Sequence, residues 1–302
     1  MTLVFDLCAD FPLIWHIPIT IGTMHTLYLV ATPIGNLEDM SPRAVRILRE
    51  AVLIAAEDTR HTGRLLAHFD IHTPLTSYFE HNKLNKLDKI LAALAGGDVA
   101  LVSDAGTPAI NDPGYELVQA AITAGYAVSP VPGPSAPLAA LTASGLPTDS
   151  FLYLGYLPRK SAERKKFLAD VAGLPYTLVF LETPHRLLDA LADIESTLGE
   201  RPIAVARELT KLHEEFWRGS VALAREHFER NAPRGEFTLV VGGKPASQES
   251  AQWTEAQLRA EIASGLAAGT APSGLAKRLA RESGWERRLT YQIIQEISAK
   301  TD

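Results

Sequence analysis

The stretch Asp98-Val99-Ala100-Leu101-Val102-Ser103-Asp104-Ala105-Gly106-Thr107-Pro108 decides how the rest of the chain is read. Val99 to Val102 is an uninterrupted aliphatic run after the Gly96-Gly97 turn, the pattern of a short strand covered on both faces. Ser103, Asp104 and Thr107 then put small polar side chains at its carboxyl end, and Gly106 leaves the backbone open to a ligand. That edge of an open α/β sheet is where ligands bind. The plainer reading is a strand, an Asp- and Gly-rich turn, and a helix begun after Pro113.

Two more stretches share the design. Leu27 to Ala31 runs into Thr32-Pro33-Ile34-Gly35-Asn36, and Ala127 to Val131 runs into Pro132-Gly133-Pro134-Ser135. Strands ending in such loops predict one cleft lined by backbone groups. Strands at 52–56 and 75–79 and helices at 42–50, 83–95 and 113–124 lie between them, an alternation that implies a parallel sheet with helices on its faces. The alanine-rich helix 134–144 is expected to pack against that sheet.

Gly145 and Pro147 break the pattern, and strands follow at 151–155, 177–181, 203–206, 213–217 and 236–241, several of them antiparallel. A polar linker, 244–250, precedes helices at 255–263, 274–282 and 286–298, which carry Lys277, Arg278, Arg281, Arg287 and Arg288. The expected organisation is an extension over 1–24, an α/β domain over 25–147, a second over 148–243, and a helical appendage over 251–302. This appendage reads either as a capping or dimer-stabilising bundle or as an RNA contact.

With 302 residues, 46% of them hydrophobic, the chain is long enough for two cores. Its net charge of −6 excludes a protein that coats nucleic acid through broad basic charge. One cysteine, Cys8, excludes an internal disulfide and suits a reducing cytoplasm, where the protein is expected. Met1 to Thr23 lacks the basic start of a signal peptide, and no run approaches the ~20 apolar residues of a membrane helix.

Local chemistry is concentrated in three places. Glu57-Asp58-Thr59-Arg60-His61 reads as a helix start with acids at its positive end or, taken together, as a substrate edge. Arg159, Lys160, Arg164, Lys165 and Lys166 read equally as a phosphate-facing patch or a solvated helix face. Glu182-Thr183-Pro184-His185-Arg186 ends another strand and opens a helix that runs to Leu198. His61, His68, His72 and His81 lack the spacing of a zinc set, so no metal site is expected. Walker, Gly-x-Ser-x-Gly and Gly-x-Gly-x-x-Gly sequences are absent.

Read together, Thr32 to Asp39, Ala56 to Arg60, Ser103 to Pro108 with Asp112 to Gly114, Pro132 to Ser135, Glu182 to Arg186, and Ala206 to Lys211 with Glu214 form a set in fixed order. This set resembles the tetrapyrrole-methylase-like (class III) S-adenosylmethionine methyltransferases, and among them the branch that methylates cytidine 2′-hydroxyls of bacterial small-subunit ribosomal RNA. The resemblance implies an α/β fold with a parallel-sheet N-terminal domain and a mixed-sheet C-terminal domain. It implies a homodimer that binds S-adenosyl-L-methionine between its domains and acts on 16S rRNA within the small ribosomal subunit. Carried over by position, the cofactor meets Ser103, Asp104, Ala105, Gly106, Thr107, Pro132, Gly133, Pro134 and Ser135, and backbone near Leu181, Arg207, Gly235 and Glu236. Catalytic candidates at the cleft edge are Asp58, Arg60, Glu182, His185 and Glu208, with Glu57, Arg186 and Lys211 beside them. A tetrapyrrole ring methylase and a ribosome-assembly factor without turnover are the competing readings.

Overall fold

The structure is a computed structural model that describes residues 25–79, 83–245 and 253–298. The expected extension over 1–24, His81, and residues 246–250 of the expected linker lie outside the described residues.

Strands β1 (Thr26–Val30), β2 (Leu53–Ala56), β3 (Leu75–Ser77), β4 (Val99–Val102) and β5 (Ala127–Val131) pair wholly in parallel, in the order β3-β2-β4-β1-β5. All four residues of β4 are buried, as its aliphatic run requires. Helices α1 (Pro42–Glu50) and α2 (Thr59–His68) cover one face through Ile47, Leu48 and Leu66. On the other face, α3 (Lys83–Leu94) and α4 (Tyr115–Thr123) contribute Ile90, Leu94 and Leu117. Neighbouring strands β1 and β4 send their connections to opposite sides, toward β2 and β5, so their carboxyl ends open a crevice. Thr32 and Gly106 span it with paired backbone hydrogen bonds of 2.9 and 3.0 Å.

Helix α4 starts at Tyr115 rather than at Pro113. Ser103 hydrogen-bonds the Asp112 side chain, which lines a cavity, and the backbone stays irregular until Gly114. A Cβ on Gly114 would stand 2.7 Å from that of Ala109, so this tight path requires glycine.

The second sheet comprises β6 (Phe151–Tyr156), β7 (Thr177–Glu182), β8 (Pro202–Arg207), β9 (Glu215–Ser220) and β10 (Phe237–Val241), ordered β6-β7-β10-β8-β9. Only β6 and β7 run parallel. On one face lie α6 (Ser161–Val171), α7 (Leu187–Leu198) and α8 (Val221–Arg230), packed through Leu168, Leu191, Ile194 and Phe228. The other face is covered by α5 (Ala136–Ser144), whose Ala140 and Leu141 meet Val179, Ala204, Ala206 and Val240. The helix expected on the first sheet thus packs on the second. Alanines on both sides permit that close approach, and Arg218 Nε donates to Ser144 O at 3.1 Å.

The basic run divides in a way that neither sequence reading anticipates. Arg164 is 3% exposed, its guanidinium 2.7 Å from Asp193 through Nε, so it is neither solvated nor free for phosphate. Lys160 pairs with Glu163, and Lys165 reaches Asp193 at 3.4 Å.

Helices α9 (Glu255–Ala267), α10 (Pro272–Ser283) and α11 (Arg287–Ser298) form a unit with its own core of Leu258, Ile262, Leu275, Leu279 and Ile294. A Thr254–Gln257 capping box starts α9. Lys277, Arg278, Arg281, Arg287 and Arg288 lie exposed on its outside. No described helix is long and apolar enough to cross a membrane.

Candidate active site

The crevice at the ends of β1 and β4 faces the second sheet across a cavity of about 280 Å³. Asp104, Ala105, Gly106 and Thr107 form one wall, with Ile34 from the loop after β1 and Ser135 at the start of α5. Leu181 and Glu182 at the end of β7, with Glu236 and Phe237 at the start of β10, form the opposite wall. The loop after β4 is fixed by the Thr32–Gly106 pair and by Thr107 Oγ1, which donates to Pro134 O at 3.2 Å. Gly106 adopts φ +80°, a left-handed conformation that glycine accepts without strain. Four non-glycine residues around the site share positive φ: Ala109 and Asn111 beside the cavity, Glu208 and Thr210 on the opposite loop. Such strain persists only where the surroundings enforce it.

Of the expected cofactor residues, Ser103 is buried behind the wall and bonds Asp112. Pro132, Gly133 and Pro134 support the wall without lining it, and a Cβ on Gly133 would stand 2.9 Å from Ala31 Cβ. Arg207 and Gly235 line a separate, open hollow with Glu208. Arg207 donates to Arg234 O and pairs with Glu215 at 3.0 Å.

The cavity is lined by five carboxylates, Glu57, Asp104, Asp112, Glu182 and Glu236, and by no cation among the described residues. Burial raises the carboxyl of Glu57, with Asp112 and Asp104 adding to the effect. Burial likewise raises Asp112 and Glu182. Glu182 is 2% exposed: its Oε1 accepts from Thr183 N at 2.8 Å. Its Oε2 lies 3.2 Å from an Arg186 guanidinium nitrogen yet makes no hydrogen bond. The Tyr153 hydroxyl on the same cavity is also buried without a partner, and burial pushes it up to about 12. Orphaned buried polar atoms beside an acidic lining mark a place for a ligand that brings donors and positive charge.

The remaining catalytic candidates stand apart from this cavity. Asp58 caps α2, and Arg60 forks onto its carboxylate at 2.8 and 3.1 Å, which holds that carboxyl well below the usual range. His185 sits beyond the wall, with Nε2 3.3 Å from Thr183 Oγ1. Glu208 organises its own loop, accepting from Lys211 and from Glu236 N, both at 3.0 Å. Tyr153 and Tyr156 escape a reading by strand alternation. A register shift in β6, made where Gly155 takes φ +63°, lets two residues three apart reach one cavity.

A second hollow of about 490 Å³ adjoins the first and shares Ile34, Asp104, Ala105 and Glu236 with it. His61, Arg64 and His68 from α2 line it together with Lys211, and none of the four lines the first cavity. The site is thus a pair of connected spaces.

Residues 26–224 match the family described as Tetrapyrrole (Corrin/Porphyrin) Methylases. The chain belongs to this family. This methylase is 49% identical over 278 residues to the ribosomal RNA small subunit methyltransferase I of Synechocystis sp., across 91% of its own length and 99% of the relative's. The Pseudomonas aeruginosa protein of the same name is 50% identical over 233 residues, covering 74% and 82%. Among solved structures, the uroporphyrin-III C-methyl transferase of Thermus thermophilus complexed with S-adenyl homocysteine matches with TM-score 0.51 at 21% identity. That match covers 72% of this methylase and 97% of that chain. Cobalt precorrin-4 methyltransferase, a cobalamin biosynthetic enzyme, matches with TM-score 0.55 at 16% identity, covering 72% and 94%. The structural likenesses establish the α/β methylase fold.

Proposed function

We propose that the chain transfers the methyl group of S-adenosyl-L-methionine to the 2′-hydroxyl of a cytidine in the 16S RNA of the small ribosomal subunit. The observation that carries this reading is the likeness, 49% identity over 91% of the chain, to a relative named ribosomal RNA small subunit methyltransferase I.

The cavity suits that methyl donor. When bound, S-adenosylmethionine supplies a methyl group on a sulfonium, a good leaving group that carries positive charge. The five carboxylates provide the field for such a cation, and Ala105, Gly106 and Leu181 allow flat groups to lie against the walls. The protein's work is chiefly to hold the acceptor hydroxyl in line behind the methyl, since positioning supplies much of the rate in such a displacement. Asp104 and Glu236, on the rim that joins the two spaces, are the carboxylates the hydroxyl meets. The acidic net charge of −6 fits recognition of a folded particle by shape and a few local cations.

The test is transfer of label from S-adenosylmethionine to small subunits from cells lacking the enzyme, with naked RNA alongside and product nucleosides identified. Label on a cytidine ribose, greater on particles than on naked RNA, is the expected result. Label on a base, or on a porphyrinoid instead, overturns the assignment, and light scattering on the same preparation reads the expected homodimer.

The raised carboxyls give a pH signature. In the folded chain Glu57, Asp112 and Glu182 resist ionisation, so their charge opposes folding as pH rises above the ordinary carboxylate range. A bound cation favours the ionised forms. Affinity for S-adenosylmethionine is therefore expected to rise with pH through that window and then level. S-adenosylhomocysteine, without the sulfonium charge, should show a shallower slope in titration calorimetry. Equal slopes would remove the carboxylates from donor recognition.

A further inference from the structure

The geometry points to a phosphate subsite on α2, in which Arg64, flanked by His61 and His68, holds the RNA backbone next to the methylated nucleotide. The inference rests on the reading of the chain as an RNA methylase and adds where the acceptor strand lies.

Three observations carry it. First, His61, Arg64 and His68 stand at i, i+3 and i+7 on α2, so one face of the helix presents all three to the second hollow. Second, Arg64 is exposed and makes no ion pair with a described carboxylate, whereas Arg60, one turn earlier, is locked to Asp58. Lys211 across the hollow is likewise committed, to Glu208 at 3.0 Å and Glu236 at 2.9 Å. Among the described residues that line the hollow, Arg64 is therefore the cation not already paired with a carboxylate.

Third, the hollow is polarised. Asp104 and Glu236 are shared with the carboxylate-lined cavity, whereas the α2 groups line the second hollow alone. A nucleotide has the matching polarity, a ribose hydroxyl directed at the methyl donor and a phosphodiester directed away. An arginine fork gives a phosphate two donors in a fixed geometry, and such contacts set register on the strand without reading its bases.

The experiment measures methyl transfer to small subunits that lack the modification, for wild type, Arg64→Lys, Arg64→Ala, Arg64→Glu and the double variant His61→Gln/His68→Gln. The Kd for S-adenosylmethionine and the thermal midpoint are read for each. Arg64→Ala should raise KM for the particle about threefold, and Arg64→Glu about tenfold, with the cofactor Kd within twofold of wild type. The slope of log(1/KM) against log salt should become shallower by about one in Arg64→Ala, whereas Arg64→Lys should keep the salt slope and recover only part of the affinity, because it lacks the fork. The histidine pair should raise the particle's KM by less than Arg64→Ala does, since it removes flanking donors and keeps the arginine. An unchanged KM and salt slope in Arg64→Glu would overturn the subsite, as would a loss shared equally by cofactor binding. Failure of wild type itself to label the particle would instead overturn the RNA reading.

Discussion

Arg164→Ala is expected to cost about 3–5 kcal/mol of stability, read as a lower midpoint in urea unfolding followed by circular dichroism. The Arg164 and Asp193 side chains are only 4% and 8% exposed. The guanidinium also donates to Pro158 O at 3.2 Å and Arg159 O at 3.1 Å, so one side chain fixes the loop between β6 and α6 while it docks α6 on α7. Truncation takes the Arg164 donor from Arg159 O, leaves Pro158 O with only Arg186 Nη2 at 3.4 Å, and leaves Asp193 with only Lys165, which is half exposed, and Ser161. Arg164→Lys keeps a charge but lacks the fork, and should recover about half of the loss. The double variant Arg164→Met/Asp193→Leu should recover most of it, because an apolar pair of similar volume avoids the desolvation of both ions. A loss below about 1 kcal/mol in Arg164→Ala would mean that the pair is solvated after all.

That residue also marks the limit of what the sequence discloses. An arginine within a run of five cations carries no local sign that its partner lies on another helix, 29 residues away. The packing of α5 was hidden for the same reason, since its alanines fit either sheet and only tertiary contact with Ala204, Ala206 and Val240 selects the second. The cavity wall after β4 was legible because each of its signals is local. An aliphatic run buried on both faces, a hydroxyl or carboxylate at its end, and a glycine where the backbone turns left-handed all fall within Val99 to Thr107. Glu182 could be found because its strand ends in a polar burst. Tyr153 and Tyr156 could not, because the register shift in β6 defeats the period of two on which strand faces are assigned. The stripe on α2 was not read from the sequence, where its histidines suggested only a failed metal set. The hollow they line is closed by Lys211 and Glu236, far along the chain.

Gly106→Val tests the most local of these signals and should weaken S-adenosylmethionine binding roughly 10- to 100-fold in titration calorimetry. Space is not the obstacle. A Cβ at Gly106 would lie 3.5 Å from Ile34 Cγ2 and 3.8 Å from Pro134 O, both ordinary contacts. The obstacle is φ +80°, which costs an L-residue about 1–2 kcal/mol and a β-branched one more. The chain can relieve that strain only by turning the peptide. Turning it breaks one or both of the hydrogen bonds that Thr32 and Gly106 exchange across the crevice, at about 0.5–1.5 kcal/mol each. Since those bonds hold the loops after β1 and β4 together, the cavity should lose the shape of its wall while both sheets stay folded. Gly106→Ala meets the strain without the branching and should lose only a few-fold in affinity, with valine always the worse of the two. The opposite order, or a valine variant that binds as wild type does, would mean that the loop after β4 is free to move and that the cofactor is positioned by the second sheet instead.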